Sequence, residues 1–279
     1  HVRSRRQRQM CIRDSASSID TPLPKYLSGV AAGMTIGFDP WLHTQAEAAA
    51  LRKAAEETGF KLVPLPHNPI DRIWQDRPLA PKGKVVQHPE TLAGRSAAAK
   101  LDEMGETMRA AGGTAAVLTD PSSIAWVFNI RGQDVPHTPL PLSFAILKSD
   151  GRPTLFIDPD KLDGAVKDYL SALADLAAPD AFDAALRGFR AGERVLVDPA
   201  LAAERIVELI EEGGATVVLK PDPARLPRAR KNDIEIAGNR AAHLRDGAAM
   251  VRFLHWLDLQ PGGTITEIDA ARRLEAFRA

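Results

Sequence analysis

Cysteine is nearly absent from these 279 residues. The single Cys11 excludes an internal disulfide framework and a cysteine-built zinc or iron–sulfur cage, in keeping with a reducing compartment. Aromatic residues are sparse at 5%, and 36 Lys plus Arg are matched by 36 Asp plus Glu, so the formal net charge is zero. That balance argues against a dedicated nucleic-acid binder. No apolar run approaches the roughly 18 to 20 residues that span a bilayer, and no apolar export segment opens the chain. The expectation is a cytoplasmic protein with no membrane and no nucleic-acid partner. Familiar catalytic motifs are missing as well. There is no His-Glu-x-x-His, no Gly-x-Ser-x-Gly, and the Gly112-Gly113 and Gly213-Gly214 pairs lack the further glycines and lysine of a phosphate loop.

What is present changes along the chain. Residues 1–13 carry five arginines and no acid, without apolar periodicity or stacking aromatics, so 1–20 reads as a disordered or extraneous tail. In 21–66, Met34 to Trp41 reads as a short strand ending in an Asp-Pro turn. An alanine-rich helix over about 42–57 follows, stopped by Gly59, and then an edge strand over 61–65. Six prolines between 64 and 90 exclude a continuous helix or central strand there, making 67–91 a linker. Its compact apolar patch is Ile70 to Trp74. Trp74 fits either a groove between domains or packing on the nearest helix.

Residues 92–227 are regular. A helix over 95–110 repeats apolar residues every three or four positions, and the strand 115–119 follows. Asp120-Pro121 then starts a short helix, with Asp120 as its cap. Strands at 142–148 and 154–158 flank Ser149-Asp150-Gly151, a hairpin signal. Helices at about 160–174, 180–188 and 200–212 alternate with strands at 194–198 and 216–219. This predicts an α/β domain with a mixed sheet and flanking helices, for which two-layer and three-layer arrangements both remain open. In 228–279, a long helix capped by Asn232 or Asp233 has one continuous apolar face. Thr264 with Glu267 reads as a capping box for a second helix, whose acids include Asp269 and Glu275.

The densest polar cluster is Arg131, Asp134 and His137 in the loop after Asn129. Arg131 and Asp134 can pair, and His137 between two prolines is either a rigidly held acid, base or oxyanion donor, or a surface histidine on a braced loop. His243 has no second ligand at i+4, where Gly247 stands, so it does not make a metal site.

Three segments in order carry a resemblance: Asp71-Arg72-Ile73-Trp74-Gln75-Asp76-Arg77-Pro78, Ile124 through Pro139, and Ala241 through Met250. Together they resemble the three-domain Xaa-Pro aminopeptidases (aminopeptidase P) of the creatinase/aminopeptidase P metallopeptidase family. The likeness implies an incomplete first creatinase N-like domain over 21–66 and a whole creatinase N-terminal-like middle domain over 92–227. Over 228–279 it implies the first helices of a pita-bread catalytic domain. The family removes an N-terminal residue that precedes proline, using two divalent metal ions, usually manganese, to activate water. Its five metal ligands are two aspartates, a histidine and two glutamates. They lie downstream of the part resembling 230–279, so the resemblance implies a fragment without metal ligands or activity of its own. It further implies proline-containing peptides as substrates and a homodimer. Arg131, Asp134 and His137 then become an interdomain or cleft-mouth loop, and Trp74 an interdomain anchor. Prolidases and creatinases fit less well, having one leading domain. A non-catalytic α/β interaction or dimerisation module is the competing reading.

Overall fold

The structure is a computed structural model that describes residues 33–279. The arginine-rich tail, Cys11 and the start of the first segment lie outside the described residues. The described part begins with a parallel strand pair, β1 (Thr35–Phe38) and β2 (Lys61–Pro64), joined by helix α1 (Gln45–Thr58). Thr44 caps α1 in a reciprocal box with Glu47, and Gly59 ends it. This small unit has few buried residues of its own and is fastened by backbone to the next domain. Gln45 N–H donates to the Ala202 carbonyl (3.0 Å), Glu204 N–H to that of His43 (2.9 Å) and Arg205 N–H to that of Pro40 (2.9 Å).

The proline-rich segment is more than a linker. It holds the short helix α2 (Pro69–Ile73) and then β3 (Val86–Gln87), which pairs antiparallel with β5 (Ile130–Arg131). The expected anchor patch is not what buries: Ile70, Ile73 and Trp74 are exposed, and Val85, 1% exposed, enters the core instead.

The main domain continues with α3 (Glu90–Ala93), α4 (Ala97–Ala110), β4 (Ala115–Leu118) and α5 (Pro121–Val127). Asp120 caps α5 as expected, its carboxylate accepting from Ser122 N–H at 2.8 Å. The hairpin strands β6 (Phe144–Lys148) and β7 (Thr154–Phe156) follow, then α6 (Gly164–Leu173), β8 (Asp175–Ala177) and α7 (Phe182–Arg187). Last come β9 (Arg194–Val197), α8 (Glu204–Glu212), β10 (Thr216–Leu219) and the short α9 (Arg225–Ala229).

Six strands form one sheet in the order β10-β9-β4-β6-β7-β8. The pairs β10/β9, β9/β4 and β7/β8 are parallel, while β4/β6 and β6/β7 are antiparallel. Side chains alternate across a strand, and both faces are apolar here. Ala116, Leu118, Ala145, Leu147, Leu155 and Leu196 join Met104, Met108, Phe128 and Leu170 on one face. On the other face Ala115, Val117, Ile146, Phe156, Val195 and Val197 join Phe182, Leu186, Ile206 and Leu209. The arrangement is therefore three layers, with helices on both sides of a mixed sheet.

Helix α10 (Asp233–Asp258) leaves this domain, and α11 (Glu267–Arg278) folds back against it. Asn232, not Asp233, caps α10, in a box with Glu235. The second box sits two residues beyond its expected place. Thr266 and Asp269 make it, because the Thr264 hydroxyl donates to the Pro261 carbonyl (2.7 Å) and closes the preceding turn. Thr266→Ala is expected to destabilise α11 by about 1 kcal/mol, read as faster amide exchange confined to its first turn.

The expected apolar face of α10 is formed but stands in solvent, with Leu244 79% and Val251 68% exposed. Such a stripe favours self-association. Replacing Leu244 and Val251 together by glutamine is expected to lower light scattering and hydrophobic-dye binding of the purified chain while leaving its unfolding midpoint within a degree or two.

Candidate functional site

The loop that follows α5 starts with a forced turn. Asn129 has φ of 48°, a left-handed conformation that asparagine tolerates better than most residues, and His137 has φ of 59° at the loop tip. Between them Arg131, Asp134 and His137 diverge. Arg131 Nη1 donates to the carbonyls of Ile130 (2.8 Å) and Ala125 (3.3 Å), so it binds the loop to α5. Burial pushes its guanidinium below the usual range, opposed by the charge of Glu235.

The expected Arg131–Asp134 pair does not form. Asp134 turns inward and its side chain is fully buried. One oxygen accepts from Gly83 N–H (2.9 Å), and the other from Leu142 N–H (2.7 Å) and from Lys161 Nζ (2.7 Å). The carboxylate thus ties three segments together: the proline-rich stretch, the end of the loop and the turn before α6. Gly83 is required at this junction, since a Cβ there would lie 2.4 Å from the Gln133 carbonyl carbon. His137 points to solvent on a tight turn closed by Thr138 N–H to the Val135 carbonyl (3.1 Å). An acid–base or nucleophilic set needs groups within hydrogen-bond reach of one another, and these three do not converge.

Two lysines complete the loop's support, and neither is obvious from residue type alone. Lys161 neutralises Asp134. Lys100 is 1% exposed, with Nζ donating to Asn129 Oδ1 (2.7 Å) and the Trp126 carbonyl (3.0 Å) and lying 4.3 Å from the centre of the Trp126 ring. A signal was available for Lys100, which shares the apolar face of α4 with Ala97, Met104 and Met108.

Trp74 is 47% exposed, with the Arg77 guanidinium 5.9 Å from its ring centre and Arg77 itself paired to Asp71 (2.6 Å). It shares an open cleft with Trp41, Leu42 and Ile70. One carboxylate fixes both turns of this cleft, Asp39 accepting from Trp41 N–H and Asn68 Nδ2, each at 2.8 Å. His243 is exposed on α10, its Nδ1 3.0 Å from the Asn239 carbonyl. Among the described residues no group of three or more His, Cys, Asp or Glu side chains converges, so the residues present do not fit a two-metal centre.

The loop and its supports lie inside a stretch, residues 76–235, that matches the model of the creatinase/prolidase N-terminal domain. The chain belongs to that family. Its mixed α/β sheet, covered by helices on both faces, has the creatinase N-terminal architecture. Over 261 residues it is 33% identical to a probable Xaa-Pro aminopeptidase P of Aspergillus flavus, covering 88% of this chain and 39% of that protein. The corresponding protein of Aspergillus niger is 32% identical over 271 residues, covering 88% of this chain and 42% of that protein. Among solved structures, the X-prolyl aminopeptidase of Caenorhabditis elegans, a cytosolic enzyme with a di-nuclear active site, superimposes with a TM-score of 0.81 at 28% identity. That match covers 90% of this chain and 42% of the nematode enzyme. The creatinase-type chain described here therefore spans about two fifths of the length of these relatives.

Proposed function

We propose that this chain is part of an Xaa-Pro aminopeptidase, a cytoplasmic metallopeptidase that hydrolyses the bond between an N-terminal residue and a following proline. The observation that carries the reading is the likeness to the nematode enzyme, with a TM-score of 0.81 across 90% of this chain. In that reading the di-nuclear centre, with manganese as the metal, is built from residues that the longer relatives have beyond those matched here. Two bound metals would supply the activated water and the charge stabilisation.

This chain's own residues do the positioning. Asp134 and Lys161 hold the loop rigid from inside, Arg131 fixes it to α5, and His137 is exposed at its tip, where it would face the cleft mouth of the longer enzyme. A loop on a rigid domain can orient a peptide and limit which peptides enter, although it cannot replace the reacting centre. Trp74, with Trp41, forms an exposed aromatic surface suited to meeting another domain or a second copy in a homodimer.

The test compares two purified proteins on a peptide with proline in second position, with and without manganese. A longer product carrying the remaining relatives' length should release the first residue in a manganese-dependent way. The 279-residue chain should release none above the blank. Metal-dependent turnover by the short chain, or none by the long one, would overturn the proposal.

A further inference from the structure

We propose that Lys100 and Asn129 form an internal strut that fixes, from the core of the middle domain, both the start of the Arg131–His137 loop and the point at which α10 departs. A lysine is rarely buried this completely without a carboxylate against it, because removing an ammonium from water is costly. Here its donors are met by two neutral oxygens, Asn129 Oδ1 and the Trp126 carbonyl, and by the face of the Trp126 indole. The arrangement spends a charge on holding one asparagine in place.

Asn129 is worth holding because it touches every segment at this corner. Its Oδ1 receives Lys100 from α4, its Nδ2 donates to the Arg95 carbonyl (2.8 Å), and its own carbonyl accepts from His88 N–H (2.7 Å) just past β3. Its left-handed backbone turns the chain into β5 and the loop. The segment it grips, Ala93 to Arg95, is gripped again from the other side. Asn232 Nδ2 donates to the Ala93 carbonyl (2.9 Å), while Asn232 Oδ1 accepts from Glu235 N–H (2.9 Å) as the cap of α10. Between them Gly94, at φ of 69°, leaves no room for a side chain, since a Cβ would lie 2.4 Å from Asn232 Oδ1. One short turn is thus clamped between a core asparagine and the cap residue of α10. Both ends of the strut lie within residues 93–235, so its role holds whatever reaction the longer relatives carry out.

The charged and titratable groups facing Lys100 are Glu235 from α10, Arg131 from β5, Arg95 from the clamped turn, Lys231 just before α10 and His88 just past β3, whose imidazole burial keeps below its ordinary range; only Glu235 favours protonation of Lys100. Burial, the largest influence, brings Lys100 down to about 8 from an ordinary 10.5. A conformation in which the strut opens and Lys100 meets water regains the ordinary value. The closed state therefore binds fewer protons than the open one between these values, and raising the pH through 8 tightens the strut.

The readout is hydrogen exchange of the Glu235 and Ile236 amides, which donate to Asn232 in the first turn of α10. After correction for intrinsic exchange rates, their protection in the 279-residue chain is expected to rise severalfold from pH 7.5 to pH 9. Lys100→Met should abolish that rise. Asn129→Gly keeps the left-handed backbone but removes the side chain, and should lower protection at both pH values while Val117 in β4 stays protected. Lys100→Arg, which does not titrate in this range, should give pH-independent protection. If the two amides exchange in step with Val117 in every variant, or if the rise persists in Lys100→Met, the strut does not control α10.

Discussion

Asp134→Ala is expected to destabilise the middle domain by about 3 to 5 kcal/mol, read as a lowered urea midpoint, because it strands the buried ammonium of Lys161 and two backbone N–H groups. The pair is closed off from water, with side chains fully buried at Asp134 and 5% exposed at Lys161, so solvent cannot replace the lost carboxylate. Asp134→Asn should cost less, since an amide oxygen still accepts. The decisive comparison is the double variant Asp134→Leu with Lys161→Met. Removing both charges together should recover part of the loss, although Gly83 and Leu142 N–H remain without their acceptor. A double variant no better than Asp134→Ala would mean that backbone anchoring, not the ion pair, sets the stability of this corner.

The second large effect lies on the opposite face of the sheet. Phe182→Ala is expected to cost about 3 to 5 kcal/mol, because the ring is 2% exposed and sits between two other phenylalanines. Its centre is 4.5 Å from that of Phe144, stacked, and 5.1 Å from that of Phe156, edge-on. Phe182→Leu, which refills much of the volume, should lose well under half as much. Equal losses for the two substitutions would assign the effect to the aromatic pairs rather than to the cavity. Since this cluster and the Asp134 junction lie on different parts of the domain, their losses should add.

Much of the fold was legible because it is written at short range. Asp120-Pro121, Ser149-Asp150-Gly151 and the alternation of strands and helices each depend on neighbours two to four residues apart, and each forms where its spacing placed it. The misses share a cause. β8 is Asp-Leu-Ala, a sequence with no preference for a strand, and it is one only because β7 offers an edge and Arg152 pins Asp175 (2.8 Å). The second capping box shifted from Thr264 to Thr266 because two threonines had suitable acids three residues on, and a turn hydrogen bond chose between them.

The candidate site was half legible. Its three residues were found together in one stretch, and Arg131 and Asp134 there do make side-chain hydrogen bonds that anchor it. Their partners were not found. Proximity in sequence suggested Arg131 with Asp134, yet the carboxylate bonds Lys161, 27 residues away, and Lys100 reaches Asn129 across 29.

By itself, then, the sequence determined the Asp120 cap, the apolar strands, the zero net charge and a resemblance carried by three ordered segments. Only the tertiary structure decided that the domain has three layers, that Val85 enters the core while Trp74 stays exposed, and that Asn232 reaches back 139 residues to hold Ala93. The physical reason is range. Caps and periodicity act over a few residues and leave a spacing to read, whereas buried charges choose partners by where the chain's packing leaves an unmet donor or acceptor, and no spacing records that.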